Sequence, residues 1–64
     1  MQFRIQFLDG SARVIGELFA DARNASRAIE LVRDIDWPDR AVTLRVLDVE
    51  GCEVHSEIKG EAKR

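Results

Sequence analysis

The chain predicts an α+β domain of ββαββ order, a four-stranded antiparallel sheet with one helix packed on one face. Three observations predict it. Apolar and polar residues alternate with period two in four segments, two on each side of a central stretch. That stretch, Asp21 to Pro38, carries apolar residues at helical spacing. Turn signals, Asp9-Gly10 and Glu50-Gly51, lie inside each outer pair of segments, so each pair reads as a hairpin.

In the first strand Phe3, Ile5 and Phe7 alternate with Gln2, Arg4 and Gln6, which puts three large apolar side chains on one face. Gly10 suits the following turn because glycine tolerates positive φ. The second strand, Arg13 to Ala20, is apolar on both faces. Burying an unpaired Glu17 carboxylate costs several kcal/mol, so the favoured register points Val14, Gly16, Leu18 and Ala20 inward. Gly16 then lets the helix approach the sheet, and Ile15 and Phe19 face away.

Asp21 is a fitting N-cap, with a carboxylate able to accept the free amides of a first turn. Ala22, Ala25, Ala28, Ile29, Val32 and Ile35 form one stripe, with Arg23, Ser26, Arg27, Glu30, Arg33 and Asp34 opposite. Pro38 disfavours helical geometry at Trp37, which predicts a stop near Ile35 or Asp36. In the third strand Val42, Leu44 and Val46 alternate with Thr43, Arg45 and Leu47. In the fourth, Cys52, Val54, Ser56 and Ile58 alternate with Glu53, His55, Glu57 and Lys59.

The expected core is Phe3, Ile5, Phe7, Val14, Leu18, Ala25, Ala28, Ile29, Val32, Ile35, Val42, Leu44, Val46, Val54 and Ile58, with Trp37 closing one end. Residues 1–64 read as a single domain, with 60–64 a frayed tail. The two hairpins share a pattern without reading as a sequence repeat, and strand order is open.

The helix then covers one side of the sheet. The other side carries Gln2, Arg4, Gln6, Leu8, Ile15, Glu17, Phe19, Thr43, Arg45, Leu47, Glu53, His55, Glu57 and Lys59. An exposed apolar patch of Leu8, Ile15, Phe19 and Leu47 marks a candidate interaction site, with Arg45 and His55 tuning it. With 64 residues the core is small, and oligomerisation is an expected source of added stability.

Bulk composition narrows the function classes. An apolar content of 45% with 34% charged residues suits a folded domain rather than a disordered chain. A net charge of −2 gives no bulk attraction to phosphate backbones or anionic lipid. One cysteine excludes an intrachain disulfide, and no apolar run is long enough to span a membrane. No charged leader followed by an apolar block is read at the start, so the expected location is the reducing cytoplasm.

Candidate chemistry is sparse. Cys52-Glu53-Val54-His55 has the spacing of a metal half-site, but residues three apart on a strand point to opposite faces, and no second Cys/His pair completes a tetrahedral site. Cys52 is expected to be a small buried filler. Glu53, His55 and Glu57 share a face in the alternation, and a solvated strand face explains them. Asp34, Asp36 and Asp39 lack the glycine and terminal glutamate of a calcium loop, and read as turn and capping chemistry. The one histidine has no nucleophile beside it, so no enzyme and no cofactor are expected.

Nucleic-acid binding is the alternative function, through Arg4, Arg45 and Lys59 or through the helix arginines Arg23, Arg27 and Arg33. Glu17, Glu53 and Glu57 interrupt the first set, Glu30 partly neutralises the second, and no glycine-rich aromatic motif accompanies either.

Phe7-Leu8-Asp9-Gly10, Arg13-Val14-Ile15 through Leu31-Val32, and Ile35-Asp36-Trp37-Pro38 together resemble small bacterial stand-alone proteins of unknown function. The resemblance spans nearly the whole chain and rests on turn, cap and stripe. It implies the same ββαββ domain and transfers no catalytic or binding residue. The expected function is a protein-interaction or assembly module, self-associating as a homodimer through the open sheet face.

Overall fold

The computed structural model describes residues 1–59. The elements follow the order β1 (Gln2–Leu8), β2 (Val14–Asp21), α1 (Ala25–Val32), β3 (Thr43–Leu47) and β4 (Glu53–Ile58). All neighbouring strands are antiparallel, and the sheet order is β2-β1-β3-β4. The fold is therefore the α+β ββαββ arrangement expected. The expected tail, 60–64, lies outside the described residues.

The first hairpin supplies β1 and β2, the second β3 and β4, and the crossing from β2 through α1 brings β3 beside β1. The two central strands hold the largest fully buried side chains, Phe3 and Ile5 from β1 and Leu44 and Val46 from β3. Burial of each such side chain is worth about 1.5–3 kcal/mol. Ala28 and Val32 seal them from the helix, and Ala22 and Ala41 complete the cluster. Trp37 meets Phe7 edge-on, with ring centroids 5.8 Å apart and planes at 61°, and closes one end of the core.

The two hairpins are geometric copies of each other. In the first, Ala12 donates its N–H to the Asp9 carbonyl (3.0 Å) and Asp9 to the Arg13 carbonyl (2.9 Å). In the second, Gly51 donates to Asp48 (3.0 Å) and Asp48 to Cys52 (2.9 Å). Asp9 Oδ1 accepts the amides of Ser11 and Arg13, and Asp48 Oδ1 those of Glu50 and Cys52. The fourth residue of each turn is left-handed, Ala12 at φ 65° and Gly51 at φ 86°. Positive φ therefore falls on Ala12 and not on Gly10, where the dipeptide signal had placed it.

Each hairpin also has a bulge at the same distance from its aspartate. Phe7 faces Gly16 but Leu8 faces Val14, which leaves Ile15 as the extra residue. Val46 faces His55 but Leu47 faces Glu53, which leaves Val54 extra. A bulge shifts every side chain beyond it to the other phase of the alternation. Val14 lies opposite Leu8, on the side away from the helix, and not inward as the unbroken alternation predicts. In β4, His55 and Glu57 lie opposite Val46 and Leu44 on the helix side, whereas Ser56 and Ile58 lie opposite Arg45 and Thr43 on the other. The expected facing of β4 is thus reversed beyond Val54, which itself packs on the core. Val14, Leu18, Val42 and Ile58, all expected in the core, are exposed.

The helix is shorter than its apolar stripe. Asp21 stays in β2, paired with Gln2, and its carboxylate meets the Met1 amino group at 3.2 Å. The N-cap is Asn24, whose Oδ1 accepts the Arg27 amide at 3.0 Å. Strand pairing at Asp21 holds extended backbone where an isolated chain would start a helix. The far end tightens into i→i+3 bonds at Arg33, Asp34 and Ile35, so α1 closes before the expected stop. Gly16 receives the Pro38 ring, 3.7 Å from an ideal Cβ, together with Phe7 at 3.4 Å. The close approach expected at this glycine is made by the loop after α1 and not by the helix.

Candidate functional site

The side of the sheet away from α1 is not covered by any described segment. Cross-strand pairing arranges it in three rows. Phe19, Arg4, Leu47 and Glu53 form one, Glu17, Gln6, Arg45 and Ser56 the next, and Val14, Leu8, Thr43 and Ile58 the third. Successive residues of a strand point to opposite faces, and so each row collects one side chain from every strand.

The central row is a polar ladder. Gln6 donates from Nε2 to Glu17 Oε2 (2.9 Å), and Arg45 donates from Nε to Gln6 Oε1 (2.8 Å). Both ends of the Gln6 amide are thus satisfied, which allows this residue to be only 8% exposed on a bare face. Arg4 sits 3.5 Å from Glu17 Oε2 and stacks its guanidinium over Phe19, 5.6 Å from the ring centroid. Arg4 and Glu17 are thus occupied with each other, and Arg45 with Gln6. Leu8 and Leu47 form a nearly buried floor. The accessible apolar surface belongs to Phe19, 56% exposed, and to Val14 and Ile58.

This placement changes the candidate set. Phe19, Leu8, Leu47 and Arg45 lie on the open face as expected. Ile15 is exposed but occupies the bulge. His55 is on the helix side, where it cannot tune an open-face contact. Val14 and Ile58 were missed because both lie beyond bulges. A glycine inside an apolar strand run, Gly16, was the one available sign of the first bulge; nothing in the sequence of β4 announced the second.

His55 is instead held by Glu57. Its Nε2–H donates to the Glu57 carboxylate at 2.8 Å, and both side chains are about three-quarters buried. Glu53 is on the opposite face, so the expected trio does not assemble. Cys52 is exposed in the second turn and is not a core filler, because the turn ends before the strand's side chains meet the core. It lies with Asp48 and Glu50, all ligand atoms within 4.8 Å. Asp48 already accepts two amides there, and turn formation accounts for the grouping.

The helix arginines do not converge on a phosphate-sized site. Arg27 is paired with Glu30 at 2.7 Å, and Arg23 and Arg27 line a shallow depression of about 520 Å³ whose wall includes Asp21 and Leu31. No helix among the described residues is long and apolar enough to cross a membrane. Comparison with protein-family models, characterised proteins and solved structures gives no match.

Proposed function

We propose that this chain is a small interaction module that self-associates through its open sheet face, supplying buried area rather than chemistry. One observation carries the reading: no described segment covers this face of the sheet, and Phe19, Val14 and Ile58 stand exposed around its nearly buried floor. Val14 and Ile58 stand at the two ends of one row and Phe19 at the end of another, with the apolar floor of Leu8 and Leu47 between them, and apolar groups exposed on one surface mark contact sites. The Arg4–Glu17 ion pair and the Gln6 bonds to Glu17 and Arg45 lower the cost of drying the middle of that surface, and Glu53 stands at its margin. A small core adds a reason for assembly. In this reading the module is bacterial and cytoplasmic and needs no cofactor, and the single cysteine stays reduced.

Nucleic-acid binding has weaker support. Arg4 and Arg45 are engaged on the face, Glu17 and Glu53 share it, and Lys59 falls one residue past β4, out of phase with the open face. Sedimentation equilibrium from micromolar to millimolar concentration tests the proposal. A concentration-dependent dimer is expected, with the NMR methyl signals of Val14, Leu8 and Ile58 shifting as it forms. A strict monomer throughout overturns it, as does a dimer in which those signals stay fixed.

A further inference from the structure

The outer side of β2 presents a second, separate surface. β2 ends the sheet, and no described segment pairs with its outer side. Ala22 donates its N–H to the Met1 carbonyl at 2.8 Å, in register with the Gln2–Asp21 and Phe3–Ala20 pairs. Antiparallel alternation therefore sends the N–H and C=O groups of Gly16, Leu18 and Ala20 to β1, and those of Glu17, Phe19 and Asp21 outward. Edge strands ordinarily block such a ladder with lysine, proline, a bulge or inward charge. Between Gly16 and Ala20 there is one charge, Glu17, already bonded to Gln6 and near Arg4. The bulge at Ile15 protects only the Arg13 end. The opposite edge differs, since β4 carries Glu53, His55 and Glu57 in six residues.

The side chains of this edge are unusually bare on both faces, with Leu18 43% exposed on the helix side and Phe19 more so on the other. We propose that a second copy of the chain adds antiparallel to β2, about a two-fold axis at Leu18, to make a continuous eight-stranded sheet. Charge selects the register. Three two-fold registers set both Glu17 and Phe19 opposite residues within β2 of the second copy. Centring on Glu17 opposes two carboxylates. Centring on Phe19 opposes Glu17 to Asp21. Centring on Leu18 opposes Glu17 only to Phe19, twice, and places Leu18 on Leu18. Like charges directly opposite are destabilising and apolar pairs favourable, so the third register is selected. It also sets Glu17 of the second copy against the Phe19 ring, on whose other side Arg4 stacks. Two-fold pairing closes on itself, whereas joining β2 to a second copy's β4 would grow without end.

Amide hydrogen exchange with mass measurement, from micromolar to millimolar concentration, tests this. The Glu17 and Phe19 amides are expected to gain about tenfold or more protection as the mass doubles, while Leu18 and Ala20 are protected throughout. Leu18→Lys, which places two ammonium groups on the axis, is expected to weaken the dimer about tenfold and leave the Phe7 and Trp37 signals in place. Free exchange at Glu17 and Phe19 in a sample of doubled mass overturns the edge contact and leaves the face contact standing. Protected amides with unmoved Ile58 methyls, on the far edge of the sheet, support the edge and remove the face. Mass that rises without limit, or a monomer at every concentration, also overturns the edge dimer.

Discussion

At the scale of single residues, the two turns show how one side chain organises five positions. Asp9 Oδ1 takes the Ser11 amide at 2.8 Å and the Arg13 amide at 3.0 Å. These bonds favour the ionised form, and the Arg13 amide, followed by Ser11, holds the Asp9 carboxyl below its ordinary value. A folded-state pKa below the unfolded one gives stability that is complete above the ordinary carboxylate range and lost as pH falls through the folded value. NMR titration is expected to show Asp9 protonating at lower pH than an unpaired exposed aspartate, and Asp9→Asn to remove that contribution. The left-handed positions make a paired expectation. Ala12→Gly should stabilise by about 0.5–1 kcal/mol, because glycine takes positive φ without a Cβ penalty. Gly51→Ala should destabilise by about 1 kcal/mol. Urea denaturation reads both, and equal signs for the two would contradict the shared turn geometry.

At the scale of elements, the start of α1 shows sheet pairing overruling a local preference. Asp21 and Asn24 are both capable caps, and only the second is free of the ladder to β1. Asn24→Ala should cost about 1 kcal/mol in chemical denaturation, and Asp21→Ala clearly less. β4 shows the stronger effect, because its bulge exchanges the faces of His55, Ser56, Glu57 and Ile58. Removing the partly buried Glu57 carboxylate leaves His55 unpaired beside Leu44 and Val46. Glu57→Ala should therefore lower stability by about 1–2 kcal/mol, whereas Glu53→Ala, on the solvated side, should be close to neutral. Alternation alone ranks these two glutamates as equals, since it puts both on one face. The helix stripe was legible because its period repeats within a few residues. Its ends were not, because each depends on contacts made with β1 or with the loop that follows.

At the scale of the whole molecule, stability is concentrated in the two central strands. Ile5 and Val46 face each other across β1 and β3 and are both fully buried. Ile5→Ala should cost about 2–5 kcal/mol, enough to unfold a marginal domain of this size. The outer strands hold the surfaces proposed for assembly, so Leu18→Lys should spare the fold and change the mass. The element types, their order and the inward face of β1 and β3 followed from the sequence by itself, since Phe3, Ile5, Phe7, Leu44 and Val46 repeat every second residue and Ala28 and Val32 sit at helical spacing. Strand order, both bulges, and with them the facing of Val14, His55, Glu57 and Ile58, were decided only in the tertiary structure. A period-two pattern has two equivalent phases, and which phase a segment keeps is set by hydrogen bonds to a strand elsewhere in the chain.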